Sequence, residues 1–340
     1  MSRVIVASEY QWASFKNQTD LIVKVLAENG FQPILAKKYL TQKHRDPNQN
    51  VIIFGSMISH NTKRHAQLFS FYGPTRIAYL VAEGPVDQNF HPPSLYSRYI
   101  TIANSEFSKA NLEASGFRVD GYIHHAIDLD LIRKARTDPM KFDRPKERFT
   151  WFVYTAQTGV RKHPETFLEA FRIAQRKTDY SIGLMAISAL EPYLKPDDKH
   201  IINHARFGTL PYDYVLRFIA GGDYYLHLTK SESFGLPALE ARALGKPLVA
   251  VRMPPTTEFI PEGGAFWVPF KEVKAVGGYG FMEFLIHEYD VKEAADMIVQ
   301  AHETRWKYNS EYEDMRQKQL ERIEEYHYKN LYKQFADLMK

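Results

Sequence analysis

The chain of 340 residues has no cysteine, which excludes disulfides, thiolate metal sites and cysteine nucleophiles. No apolar run approaches the eighteen or so residues of a membrane span. The start, MSRVIVASEY, runs straight into a strand and shows no signal-peptide pattern. Together these features favour the cytoplasm as the expected location. Three nucleotide and hydrolase signatures are also missing. No G-x-x-x-x-G-K-[ST] points to a P-loop, no G-x-G-x-x-G follows the first strand, and no G-x-S-x-G forms a nucleophile elbow. Repeats and low-complexity segments are absent as well.

What is present is a soluble globular composition, 44% apolar and 25% charged, in a chain long enough for two domains. The net charge of +4 is unevenly spread. Residues 1–150 hold 20 Lys/Arg against 14 Asp/Glu, a balance of +6, which leaves −2 for the rest. A basic half can attract an anionic membrane surface or a polyanionic acceptor, or can simply be solvated surface. No nucleic-acid motif accompanies the charge, so nucleic acid is not the expected partner.

Apolar runs alternate with helical patterns throughout, the mark of stacked βαβ units and parallel sheets. VIVA (4–7), PILA (33–36), VIIFG (51–55), RIAYLVA (76–82) and YITIAN (99–104) read as strands of a first domain. FTWFVYTA (149–156), YSIGLMAIS (180–188), HIINHARFG (200–208), YYLHL (224–228) and LVAV (248–251) read as strands of a second. The spacing predicts helices over Thr19–Asn29, residues 105–117 and 163–177, and from Tyr212 to Ala220. The polar stretch from Asp128 to Arg148, with Pro139 and Pro145, reads as the crossing between domains. The expected organisation is 1–130, a crossing at 131–148, a second domain at 149–310, and a final helix at 311–340.

The richest stretch is SESFGLPALEARALGKPLVA (231–250). Pro237 suits a first helical turn, where no backbone donor is needed, and Gly245 with Pro247 ends the helix. Ahead of it, the amides of Phe234, Gly235 and Leu236 stand at the positive end of the helix dipole, a ready phosphate site. Glu232 and Glu240 bracket the site. Carboxylates there would repel phosphates, yet suit hydroxyls on either side of a diphosphate, as in a sugar-nucleotide. An ordinary strand-loop-helix with surface glutamates is the plainer alternative.

The E-x7-E pair within ESFGLPALEARALGKPLVA resembles the donor-site signature of retaining glycosyltransferases of the GT-B fold, family 4 in particular. The resemblance implies an α/β protein of two facing Rossmann-like domains, with a C-terminal helix crossing back to the first. It also implies a nucleoside-diphosphate-sugar donor, an acceptor of unidentified kind on the first domain, and no required cofactor or metal. On this reading Glu232 contacts the transferred sugar and Glu240 the ribose, while Ser233, Phe234, Gly235 and Leu236 frame the diphosphate. Lys162 matches the family's diphosphate lysine, with Arg161 its helper. The family's additional arginine is missing from YTAQTG (154–159). Gly208, Thr209 and Leu210 fall where relatives frame the nucleobase. Glu83 stands where relatives often carry a histidine; it could orient the acceptor hydroxyl, steady charge on the sugar ring, or brace the GPV turn. The first loop, SEYQWASFKN, lacks the family's glycines; Ser14 and nearby amides substitute, or this side is built differently. Trp12 and Phe15 read as an acceptor surface or as packing. Asp128-Leu129-Asp130 spells D-x-D outside its usual setting, and His124-His125 lack zinc spacing, so no metal site is expected.

Overall fold

The computed structural model describes residues 2–36, 48–159, 161–278 and 280–340. The chain forms two compact units: residues 1–128, 275–285 and 324–340 make the first, and residues 129–274 and 286–323 the second.

In the first unit, β1 (Arg3–Ser8), β2 (Gln32–Ala36), β3 (Asn50–Ser56), β4 (Arg76–Val81), β5 (Ile100–Ala103) and β6 (Gly121–Tyr122) form one sheet in the order 2-1-3-4-5-6. Every pairing is parallel. The inner strands β1, β3 and β4 are buried on both faces, which explains their nearly continuous apolar character. The helices α1 (Ala13–Glu28), α2 (His60–Phe69) and α3 (Glu106–Ala114) connect them. Ser105 caps α3 by accepting from the Ser108 amide, as its sequence position predicts. α1 begins at Ala13, six residues before the expected start, and buries Gln18, Thr19, Ile22, Val25 and Leu26. The Gln18 amide donates to the Ala126 carbonyl (2.9 Å), a tertiary bond that holds this polar first turn in the helix.

The second unit repeats the principle. It opens with α4 (Leu129–Thr137), which occupies part of the stretch expected as a crossing. Leu129, Ile132 and Ala135 form its buried stripe, so the polar composition there marks a solvated helix face. Then come β7 (Thr150–Thr155), α5 (Pro164–Lys177), β8 (Ile182–Ile187), β9 (Ile201–His204), α6 (Tyr212–Gly221), β10 (Tyr224–His227), α7 (Leu236–Ala243), β11 (Leu248–Val251), α8 (Thr256–Phe259) and β12 (Ala265–Val268). The sheet order is 12-11-10-7-8-9, again all parallel. Connections therefore run outward in opposite directions from the β7/β10 pair, the switch point at which open α/β sheets bind ligands.

One element went unread in the sequence. β13 (Phe270–Gly278) and β14 (Met282–Tyr289) form a two-stranded ribbon. Its residues 281–285 bond to the loop after β4: Glu283 donates to Pro85 (2.8 Å), Leu285 to Glu83 (3.1 Å), and Asp87 to Phe281 (2.9 Å). A Cβ on Gly84 would sit 2.4 Å from the Glu283 carbonyl oxygen, so only glycine admits this approach.

α9 (Val291–Lys307), capped by Asp290, packs with α10 (Asn309–Leu320) in the second unit, where Tyr312 and Met315 join the core. The chain rejoins the first unit at Glu324, later than the expected helix from residue 311. There α11 (Tyr328–Leu331) and α12 (Lys333–Asp337) are two short helices rather than one long one. Tyr328, Tyr332 and Phe335 are fully buried beside Ile22, Leu26 and Tyr79. Burying each such ring contributes roughly 1.5–3 kcal/mol. Among the described residues no helix is long and apolar enough to cross a membrane.

Candidate functional site

The site in the second unit is assembled from the two loops that diverge at the β7/β10 switch. After β7, the amides of Lys162 and His163 turn back to the Gly159 carbonyl (2.9 and 3.1 Å) before Pro164 opens α5. After β10, the chain runs Leu228–Phe234 into α7. The Lys230 amide donates to the Arg161 carbonyl (3.2 Å), stitching the loops together.

Lys162 Nζ donates to the Ser231 carbonyl (3.2 Å) and forms a buried ion pair with Glu232 Oε1. Thr229 adds a 3.3 Å hydrogen bond to the same oxygen. Burial pushes Glu232 up, but the Lys162 ammonium, with Arg161 behind it, reverses the shift and holds the carboxyl below its ordinary value. Two sequence-predicted residues seventy positions apart are thus in direct contact, and Glu232 is kept ionised.

α7 starts as its sequence dictates. Gly235 is the N-cap with φ +101°, a left-handed conformation that costs glycine nothing. Ala238 and Leu239 donate to its carbonyl (3.0 and 3.2 Å), so the amides of Gly235 and Leu236 precede the first intrahelical bond. Phe234 is buried and stacks on Phe259 (centroids 4.8 Å apart), which anchors this turn, while Ser233 remains half-buried before it. Gly245, at φ +70°, ends the helix with the Lys246 amide bonded to the Ala241 carbonyl (2.9 Å). Arg242 fixes the helix from behind, donating to the carbonyls of Gln319, Phe259 and Glu321.

Glu240 is buried on α7 and accepts from the Tyr212 hydroxyl (2.8 Å). Burial pushes its carboxyl up to about 7, with Tyr212 opposing. Gly208, Thr209 and Leu210 lie in the loop between β9 and α6, Gly208 and Thr209 exposed, and Tyr212 starts α6 just beyond. The Tyr212–Glu240 bond therefore links the end of that loop to α7. Glu83 belongs to the first unit, in the loop after β4; its side chain is buried, its amide meets Met282 Sδ (3.2 Å), and its carbonyl accepts from Leu285.

Residues 137–318, just over half the chain, match the family model "Glycosyl transferases group 1". The chain belongs to this family. A viral relative, uncharacterized glycosyltransferase 335 of Sulfolobus islandicus rod-shaped virus 1, is 24% identical over 355 residues, covering 99% of this chain and all of that one. Two solved structures show the same GT-B fold. One is a trehalose-6-phosphate structure from E. coli bound with UDP-2-fluoro glucose, with TM-score 0.71, 11% identity, and 100% of this chain and 99% of that one covered. The other is sucrose-phosphate synthase from Thermosynechococcus elongatus, with TM-score 0.69, 13% identity, and coverage of 100% and 98%. The matched segment of this group 1 glycosyl transferase contains Lys162, Glu232 and Glu240.

Three polar groups beside this site escaped the sequence reading. His227, at the end of β10, is buried, and burial holds it neutral, down to about 4. Among the described residues its Nε2 has no hydrogen-bond partner, nor do the Tyr154 hydroxyl near the end of β7 and the Ser231 hydroxyl. All lie at or just beyond the carboxyl ends of the central strands β7 and β10. Their strand positions are readable, but their missing partners follow only from packing. Among the described residues no group of three or more His, Asp or Glu could hold a metal ion.

Proposed function

We propose that this family 4-like protein transfers a sugar, with retention of configuration and without a metal, from a nucleoside-diphosphate sugar to an acceptor hydroxyl. The observation that carries the reading is the buried Lys162–Glu232 pair at the switch point beside the start of α7. In the donor complex Lys162, Arg161 and the Gly235 and Leu236 amides would neutralise charge developing on the diphosphate. Glu232 would accept hydroxyls of the sugar and Glu240 those of the ribose, with the base over Gly208–Leu210. The bond from the anomeric carbon to the phosphate oxygen breaks as the acceptor hydroxyl attacks on the same face, and its proton passes to the departing diphosphate. No protein nucleophile is needed. Glu83 of the first unit would orient the acceptor.

The reading carries a cytoplasmic location and a contact of the basic first unit with anionic membrane surface. Phe71, 74% exposed beneath the Arg98 guanidinium, is a patch suited to such contact. The test is a thermal-shift screen with UDP, GDP, ADP and their sugar conjugates in chelator, followed by product analysis. Selective stabilisation lost in Glu240→Ala, with turnover and a retained anomer, is the expected result. Binding without sugar turnover would replace the transferase with a nucleotide-binding module; no stabilisation at millimolar nucleotide would sink both.

A further inference from the structure

The β13–β14 ribbon has one occupied edge and one open edge. β14 is engaged beyond β13: the amides of Glu283, Leu285 and His287 donate to the carbonyls of Pro85, Glu83 and Lys230 (2.8, 3.1 and 2.8 Å). Among the described residues β13 pairs with β14 alone, and every residue from Pro269 to Gly277 is exposed. A strand left at an edge presents backbone N–H and C=O groups as a template for another strand. The devices that usually block such pairing are weak here. β13 runs for nine residues with no proline inside it. Its two lysines are matched by acids, Lys274 by Glu272 and Lys271 by Asp290 (both 3.0 Å). Among these charges stand Phe270, Val273 and Val276, 37%, 43% and 39% exposed. Phe270 is held edge-on against His287 of β14, with centroids 4.9 Å apart.

We propose that the open edge of β13 is a dimer interface, and that its occupant is β13 of a second copy of this chain, paired antiparallel about a two-fold axis at Val273. The stretch FKEVKAV (270–276) is complementary to itself when reversed. With Val273 opposite its own copy, Glu272 faces Lys274 of the second copy and Lys274 faces Glu272. On the same side of the strand Phe270 faces Val276 at both ends. Opposite charges and aromatic–β-branched pairs are the favourable cross-strand partners. A two-fold axis through the sheet keeps each side chain on its own face, so the neighbouring centres of symmetry are Glu272 and Lys274. Centring on Glu272 sets two carboxylates against each other, and centring on Lys274 sets two ammonium groups against each other. Charge therefore selects Val273. The pairing joins two ribbons into one four-stranded sheet with an isologous contact. A single strand pair buries less than the roughly 1,600 Å² of a standard interface, so a micromolar dimer is expected. The proposal does not rest on the transferase reading.

Sedimentation equilibrium of the full chain, from about 1 to about 200 μM, tests it. The wild-type mass should rise from 39.5 kDa toward twice that value. Glu272→Lys sets lysines against lysines in the pair and should weaken association about tenfold; Lys274→Glu sets carboxylates against carboxylates and should do the same. Mixing the two variants makes every one of these pairs opposite in charge, so the mixture should associate as tightly as wild type. Both side chains are exposed and their mutual ion pair contributes little, so each variant should melt with wild type. Hydrogen exchange of the wild-type chain should slow at residues 270–276 as its concentration rises. A monomer at every concentration overturns the proposal. So does a dimer that neither substitution weakens, or a mixture no tighter than its parents. Should a variant fail to fold, the wild-type exchange decides: a dimer that leaves 270–276 unprotected overturns it.

Discussion

Glu240 makes the stability of the second unit depend on pH in a direction opposite to most paired carboxylates. Its ordinary value is 4.5, and burial raises it to about 7 in the folded protein. Below 4.5 both folded and unfolded chains carry the proton, and the folded state loses nothing. Between 4.5 and about 7 the unfolded chain ionises first, so stability falls as pH rises, and the loss is complete above 7. At 1.36 kcal/mol for each pH unit of that gap, the loss is about 3 kcal/mol. Glu240→Gln keeps the shape and a carbonyl for Tyr212 but does not titrate. It should match wild type within about 1 kcal/mol at pH 5 and exceed it by about 3 kcal/mol at pH 8. In calorimetry that is a gain on the order of 6–12 °C in the second unit's transition at pH 8. An equal difference at both pH values would refute the buried neutral acid. The same chemistry reaches function. On the proposed ribose role, ribose hydroxyls would stabilise the ionised carboxylate, so wild-type nucleotide affinity should climb from pH 5.5 to 8 while the Gln variant stays flat and weaker. A flat wild-type profile would remove Glu240 from the ribose site.

Three further outcomes follow from the packing. Lys162→Ala strands the buried Glu232 carboxylate and should cost roughly 3–5 kcal/mol in urea unfolding, with much of it recovered in Lys162→Met/Glu232→Gln; a loss under 1 kcal/mol would show that the pair is solvated. Gly235→Ala must hold φ near +101° with its Cβ 3.2 Å from His227 Nε2, and should cost about 1–2 kcal/mol. An unchanged urea midpoint would mean that the α7 cap relaxes freely. Phe335→Ala should destabilise by about 3–5 kcal/mol and lower the first unit's transition alone, since Phe335 is buried in that core. A matching drop in the second unit would contradict the division at Glu324.

Local chemistry made much of this fold readable. The strand runs of both sheets, the Ser105 cap, and the start and stop of α7 at Pro237 and Gly245 depend on residues within a few positions of one another. The remainder depends on partners distant in sequence. α4 hides as a polar stretch because only three of its nine residues are buried. The β13–β14 ribbon carries a readable alternation around Gly277–Gly280, but its docking depends on Gly84, some two hundred residues earlier. Of the site, Lys162 and Glu232 were legible by type and position, but not their mutual contact.

The two glutamates of the E-x7-E pair show how little residue type alone decides. Both are enclosed by protein, and burial raises both. Glu232 has the Lys162 ammonium against it, with Arg161 near, and stays ionised. Glu240 has a hydroxyl from Tyr212, which opposes the shift too weakly to overcome burial. A fixed carboxylate suits a place where a sugar ring gains positive character as its bond to phosphate loosens. A neutral acid that ionises near 7 suits a ribose, whose hydroxyls can supply the hydrogen bonds that its surroundings withhold. The eight-residue spacing delivers two identical side chains to one end of a parallel sheet. The lysine after β7 and the tyrosine starting α6 then set different protonation states for them, so the difference between the two carboxyls is written in β7–α5 and β9–α6, outside the signature itself.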